Sequence, residues 1–279
     1  GGMNAGVADG GKARWVVAAR RGYPDIALKV ANREEDVTPR YYDVSGKLEY
    51  QFAPGQSVSV HALHGGDTFT YARKNDPSLR SSYDNDYLWA RWRAQANPRL
   101  TGETVVSGGW LTWSRTGAGA MDGYPFSLRD ERGLDVWTGR TEWSYTLSDE
   151  VILRAGGEAT AGSARYDYTL SRAQTVVAAG KQVTQSTTVN THLSPEGNTL
   201  GAFIAARALA TPTFVVEPGL RVDARGTTDD HEVNPRLNIA WTIGGGTLRA
   251  AWGLYSQRHG LHDLHVADGE TQLGPTERA

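Results

Sequence analysis

Apolar and polar residues take turns along most of this chain with a period of two. In RYYDVSGKLEYQF, which begins at Arg40, the residues Tyr42, Val44, Gly46, Leu48, Tyr50 and Phe52 fall on one face of an extended strand. Tyr41, Asp43, Ser45, Lys47, Glu49 and Gln51 fall on the other. An apolar row of that length must be buried against a protein core or against a bilayer. The pattern predicts about eleven strands, each bounded by turn residues. They start near Lys12, Arg40, Gln56, Asp86, Glu103, Gly133, Glu150, Thr199, Pro212, Pro235 and Thr247.

Three of these strands sort their side chains cleanly. DYLWARWRAQAN sets Leu88, Ala90 and Trp92 against Trp89, Arg91 and Arg93. PRLNIAWTI sets Leu237, Ile239, Trp241 and Ile243 against Arg236, Asn238 and Thr242. GTLRAAWGLYSQ sets Leu248, Ala250 and Trp252 against Thr247, Arg249 and Ala251. The strands near Glu103 and Glu150 alternate less strictly. The segment DIALKVANREED, after Pro24, is expected in a loop.

The connections carry more information than the strands. APGQ, NPRLTG, SDE, ATP and GGG are short. Between them lie long, polar, Gly- and Asp-rich stretches at 22–39, 65–85, 115–132, 162–198 and 225–234. Short and long alternate, so a meander would gather the short turns at one end and the long connections at the other. A soluble sandwich has no reason to sort them; an outer-membrane barrel does. The stretch 162–198 is expected to form an extended surface hairpin.

Composition then narrows the class. No run approaches a membrane-spanning helix, and hydrophobic residues make up 39%, as barrel strands that are apolar only at every second position allow. Nine Trp and twelve Tyr against five Phe favour surfaces with one greasy and one wet side. A net charge of −2 gives no bias toward nucleic acid. There are no cysteines, which decides little about compartment. The opening GGMNAGVADGG lacks the pattern of an export signal.

The segments RWVVAARRGYPDIALKV, PRYYDVSGKLEYQFAPGQSVSVHAL, FVVEPGLRVD, VNPRLNIAWTIGGGTLRAAWGLYSQ and VADGETQLGPTERA resemble the barrel of TonB-dependent outer-membrane receptors. EPGLR, and then NPRL leading into LRAAWG, are the most specific of them. The resemblance implies an antiparallel up-and-down barrel of about 22 strands closed by an N-terminal plug. It also implies import of an iron chelate, a vitamin or an oligosaccharide across the outer membrane of a Gram-negative bacterium. The energy would come from an inner-membrane complex engaging a TonB box. Residues 1–279 show neither plug nor TonB box and are expected to be a partial barrel domain, about half of the strands. Two alternatives stay open: a passive porin-like channel, and a soluble β-propeller or sandwich with a binding role.

Candidate residues follow from the faces. Lipid-facing candidates are Tyr42, Val44, Leu48, Tyr50, Phe52, Trp92, Leu237, Ile239, Trp241, Leu248 and Trp252. Lumen-facing candidates are Arg91, Arg93, Glu217, Arg221, Asp223, Arg236 and Arg249, a charge ladder that serves a ligand path, a plug-docking wall or a stiffening lattice. Pro218 within it lacks an N–H, so an irregularity is expected there. Trp110, Trp113, Trp137, Trp143 and Tyr145 read as interface belts rather than sugar platforms. QRHGLHDLH (His259, His262, Asp263, His265), YDNDY and TTDDHE lack metal-site spacing and read as solvated loops. No nucleophile elbow, phosphate loop or zinc-protease helix is present, and no catalytic residue, cofactor or metal is expected.

Overall fold

The computed structural model describes residues 2–23, 37–72, 76–121, 123–178, 181–226, 230–257, 260–272 and 277–278. Alternating, β-branched and aromatic residues with almost no helical period leave the chain one way to satisfy its backbone, in ladders between neighbouring strands. It does so in one antiparallel meander. The strands are β1 (Gly2–Ala8), β2 (Ala13–Arg21), β3 (Val37–Ala53), β4 (Gln56–Tyr71), β5 (Ser78–Asn97), β6 (Leu100–Met121) and β7 (Tyr124–Thr146). They continue as β8 (Val151–Ala178), β9 (Lys181–Leu193), β10 (Glu196–Thr211), β11 (Phe214–Arg225), β12 (Asp230–Ile243) and β13 (Gly246–Gly253). They form a 13-stranded sheet in which sequence neighbours pair, except that among the described residues β9 pairs with β8 alone, and β10 returns to pair with β8. Among the described residues β1 and β13 do not pair, so the sheet is open.

Turn chemistry fixes one end of the meander. Gly244 and Gly245 have φ of 53° and 84° between the paired residues Ile243 and Gly246. Positive φ at both central positions is what a two-residue hairpin with the right twist requires. Pro54–Gly55 closes β3 onto β4, with φ of 71° at the glycine. The connections at 98–99, 147–150 and 212–213 lie at this same end, as the sorting of loop lengths predicts.

The other end departs from expectation. Most of the residues in 65–85, 115–132 and 162–198 are paired strand rather than loop. β4 and β5 stay in register out to Tyr71↔Leu79, β6 and β7 out to Met121↔Tyr124, and β8 and β9 out to Ala178↔Lys181. Polar residues occur on both faces there, although Tyr166, Tyr168 and Leu170 pack with Leu128 and Leu193 on one of them, so alternation fades while the backbone ladder continues. The extended hairpin expected at 162–198 is β8–β9. The segment DIALKVANREED lies outside the described residues.

β8 is long enough to serve two partners. Its outer part pairs with β9 from Tyr166↔Leu193 to Ala178↔Lys181, and its inner part with β10 from Ser163↔Glu196 to Val151↔Ala208. The register is unbroken across the gap, and Pro195 O still accepts from Ala164 N at 2.8 Å. β9 and β10 are therefore one line of chain interrupted at Ser194–Pro195. β1, built from the small residues of GMNAGVA, pairs with β2 and was not expected from the sequence pattern.

Few side chains are fully enclosed. The largest buried group joins Ala164, Tyr166 and Tyr168 of β8 to Leu264 and Val266 from the segment after β13. That segment doubles back over the sheet, and the Tyr166 hydroxyl donates to Leu261 O at 2.6 Å.

Candidate functional site

The registers sort the sheet into two chemically distinct faces. On one face a single row runs Trp15, Leu48, Val60, Ala90, Val106, Gly139, Ala159 and Leu200 across eight successive strands. All eleven apolar candidates, from Tyr42 to Trp252, share this face. Ten are exposed, among them Leu48 at 53% and Leu248 at 65%, and Ile239 is half-buried. A monomer in water does not keep a contiguous apolar surface of this extent.

The apolar band has sharp margins. On β7 it spans Trp137 to Tyr145 and stops at Asp135. On β3–β5 it stops at a polar chain in which Tyr42 Oη meets His64 Nε2 at 3.1 Å and His64 Nδ1 meets Asp86 at 2.7 Å. Farther along the hairpins the same face carries Arg129–Glu131 and Arg165–Asp167 pairs.

The seven charged candidates share the opposite face, on two adjacent rows and their margins. Arg91 leads through Val105, Arg140, Glu158 and Gly201 to Asp223. Arg93 leads through Glu103, Glu142, Gly156 and Phe203 to Arg221. Glu217 lies on this face beyond Arg221, and Arg236 and Arg249 lie beside them on β12 and β13.

The ion pairs themselves differ from the ladder expected. Arg91 and Arg93 both reach Glu103 at 3.5 Å. Glu217 pairs with Arg154 at 2.6 Å, and Arg221 pairs with Asp223 at 2.8 Å and reaches Glu158 at 3.9 Å. Arg236 stacks on Tyr255, 5.1 Å from the ring centroid, and Arg249 is exposed on the last long strand. The candidates thus fall into separate groups, Arg91 and Arg93 on Glu103, Glu217 on Arg154, and Arg221 with Asp223 and Glu158, and Arg140 pairs with Glu142 between them. The i, i+2 spacing of Arg140 with Glu142 was the available sequence signal for one such group. A Cβ on Gly201 would stand 2.6 Å from both Arg221 Nη2 and Asp223 Oδ1, so the bare backbone there makes room for that pair.

Two recesses open on this face. One, of 660 Å³, is lined by Arg93, Glu103, Arg140, Glu142 and Glu158. The other, of 300 Å³, is lined by Arg154, Glu217, Arg221 and Arg236. Both are chemically suited to a polar, multiply hydrogen-bonding group. Most of these pairs keep contact with solvent, so each contributes little to stability.

Toward the hairpin end the charged face becomes aromatic. Asp130 is fully buried, bound by Arg132 through Nε at 2.9 Å and Nη2 at 3.0 Å, and by Arg115 at 3.3 Å. Trp113 lies under both guanidinium groups, at 5.2 Å from Arg115 and 4.4 Å from Arg132. Tyr83, Trp113, Arg132, Tyr166 and His262 line a cavity of 320 Å³ there. Trp110, Trp137, Trp143 and Tyr145 lie on the apolar face, whereas Trp113, at an odd position on β6, lies on the opposite face with Arg115. Burial pushes the Tyr166 phenol above its ordinary range.

The irregularity expected at Pro218 is present as a gap. The β10–β11 ladder passes from Ala205↔Gly219 to Ala208↔Val216 with register unchanged, and the shift in register falls farther on, between Leu209 and Thr211. Of the histidine run, His262 meets Asp263 at 3.3 Å, and His259 lies outside the described residues. Asp229 of TTDDHE also lies outside them. Among the described residues no group of three or more His, Cys, Asp or Glu side chains is arranged to hold a metal ion.

No family model matches the sequence, and no curated protein sequence matches it. Solved structures do match. The siderophore receptor PiuA from Acinetobacter baumannii superposes over 93% of this chain with a TM-score of 0.63 at 9% identity. FpvA of P. aeruginosa does so over 99% with a TM-score of 0.61 at 9% identity. The ferric yersiniabactin uptake receptor FyuA from Yersinia pestis does so over 88% with a TM-score of 0.57 at 10% identity. The chain spans 48%, 42% and 42% of those three receptors, less than half of each. At such identities the likeness is one of fold: the chain carries the up-and-down antiparallel strand architecture of the transmembrane β-barrels of TonB-dependent receptors.

Proposed function

We propose that residues 1–279 are a section of the barrel wall of a TonB-dependent outer-membrane receptor that imports a scarce nutrient in a Gram-negative bacterium. The observation that carries this reading is the continuous exposed apolar row from Trp15 to Leu200, backed on the other face by paired charges. The band on β7 is about nine residues deep, the length that crosses a bilayer at the usual tilt. Hydrocarbon takes the apolar face, and the charged face lines the lumen.

In this reading Arg91, Arg93, Glu217, Arg221, Asp223, Arg236 and Arg249 belong to a lumen wall that holds a plug domain or borders the ligand path. The long hairpins stand outside the cell and the short turns face the periplasm. The role is transport, not catalysis, in line with the fold neighbours, which are receptors and a peptide transporter. The imported ligand is an iron chelate, a vitamin or an oligosaccharide, and an inner-membrane complex supplies the energy.

Residues 1–279 have no cysteine, so once any cysteine elsewhere in the full-length protein is replaced, single cysteines at Leu48 and Glu49 are clean probes. A fluorophore at position 48 is expected to be quenched from the lipid phase, and one at 49 is not. Equal water exposure at both positions would sink the membrane reading. Ligand uptake that persists after collapse of the proton gradient would sink the energised-import part alone.

A further inference from the structure

The outer stretch of β9 has a partner on one side only. Among the described residues Lys181–Leu193 pairs with β8 and with no other strand. On the opposite side β11 ends at Arg225, beside Thr199, and Gly226 N makes the last bond, to Asn198 O at 3.1 Å. Beyond that point the hairpin stands above its shorter neighbour. Side chains from Val183 to Asn190 are exposed on both faces. Among the described residues no strand pairs with the N–H and C=O that every second residue there turns away from β8.

Edges left bare in this way are usually blunted by proline, bulges or inward charge. This one is not. Residues 181–193 contain no proline or glycine, the ladder to β8 has no register shift, and the only lysine is Lys181 at the tip. Thr184, Thr187, Thr188 and Thr191 with Val183 and Val189 give it strong strand propensity. Its existing partner shows which contacts it favours: Ser171 with Thr188 at 2.9 Å, Thr169 with Asn190 at 3.1 Å and Asp167 with His192 at 2.5 Å.

We infer that this edge is a docking site for an extended segment of another polypeptide, taken up as an added strand, with Ser or Thr opposite Thr188 and Asn190 and an acidic residue opposite His192, as β8 has at Ser171, Thr169 and Asp167. Backbone pairing supplies the affinity, and short hydroxyl and amide side chains set the register. A second copy of this chain is a poor occupant. Two copies in one membrane are related by an axis along its normal, so their edges would meet parallel, the less stable pairing. That last step rests on the proposed membrane orientation; the edge itself does not.

The probe is a fluorescein-labelled synthetic peptide with the sequence of residues 166–178, whose side chains already match β9 in register. It is titrated by anisotropy against the full-length protein in detergent. Saturable binding is expected. N-methylation of alternate amides should weaken it about tenfold in one phase and leave it unchanged in the other, since only alternate N–H groups face a sheet edge. Replacing Val183 and Val189 by lysine should also weaken it without removing a backbone donor.

Absence of saturable binding, or equal binding of both N-methylated peptides, would overturn the inference. So would a protein dimer in sedimentation that the peptide dissociates, which would assign the edge to a second copy. Binding in detergent is independent of which way the hairpin points in a membrane, so failure of the import reading leaves this result interpretable.

Discussion

The indole of Trp143 lies over Gly102 of the neighbouring strand, where a Cβ would stand 2.3 Å from the ring. The two are directly paired across β6 and β7, and the indole Nε1 donates to Thr141 Oγ1 at 3.0 Å. Its far side meets Trp92 edge-on, with centroids 5.7 Å apart. Glycine is required here for space, not for an unusual φ. Gly102→Val is expected to expel the indole and cost about 1–3 kcal/mol, the usual range for overpacking. Thermal unfolding in detergent, followed by Trp fluorescence, measures it. An unchanged midpoint with unchanged emission would refute the account.

Asp130 presents the opposite case, a carboxylate with no exposed surface between two arginines. Asp130→Ala leaves Arg115 and Arg132 without their counter-ion. Both guanidinium groups keep some solvent contact, which reduces the loss from the range for a fully buried pair to about 2 kcal/mol. Chemical denaturation should show that loss, together with a changed near-ultraviolet signal from Trp113. Asp130→Asn, which keeps the shape, should recover part of the stability.

Arg154 and Glu217 test how little a half-exposed pair contributes. Each single alanine substitution and the double substitution form a cycle whose coupling is expected at about 0.5 kcal/mol. Raising salt should shrink it further. A coupling several times larger would mean that the charged face is drier than its exposure implies.

Tyr166 links the returning segment to β8 through its hydroxyl, and burial raises its pKa above the ordinary value of about 10. The sign follows from linkage. A raised folded-state pKa gives stability that is complete below the unfolded value and is lost as pH rises through the folded one. Docking of residues 260–272 should therefore be insensitive to pH near neutrality and weaken only in strong alkali. A fluorophore on His262→Cys reads the release, and Tyr166→Phe should abolish that alkaline step.

The apolar band was legible because one uniform environment imposes one parity. Leu48, Trp92, Trp241 and Trp252 could be placed on their face from period two alone. Legibility fails where polar residues and glycines interrupt both faces, which is why 65–85 and 115–132 read as loops although most of their described residues are paired strand, whereas 162–198 reads as the hairpin it is. β1 escaped notice because Gly2, Ala5, Gly6 and Ala8 carry no contrast between faces. Trp113 shows a different limit. Aromatic content assigns no residue to a face; only register does. The same holds for the charges: Arg91 and Glu217 could be put on one face, but their partners, Glu103 and Arg154, lie on other strands and depend on how those strands are ordered and registered.

The break at Ser194–Pro195 has a consequence for how such a wall can change over generations. Since β9 and β10 keep one register against β8, residues can be added or removed as facing pairs around the hairpin tip without displacing a single rung below Ser163↔Glu196. The finger can thus be remodelled at the pace set by whatever it meets, while the barrel beneath it inherits no error.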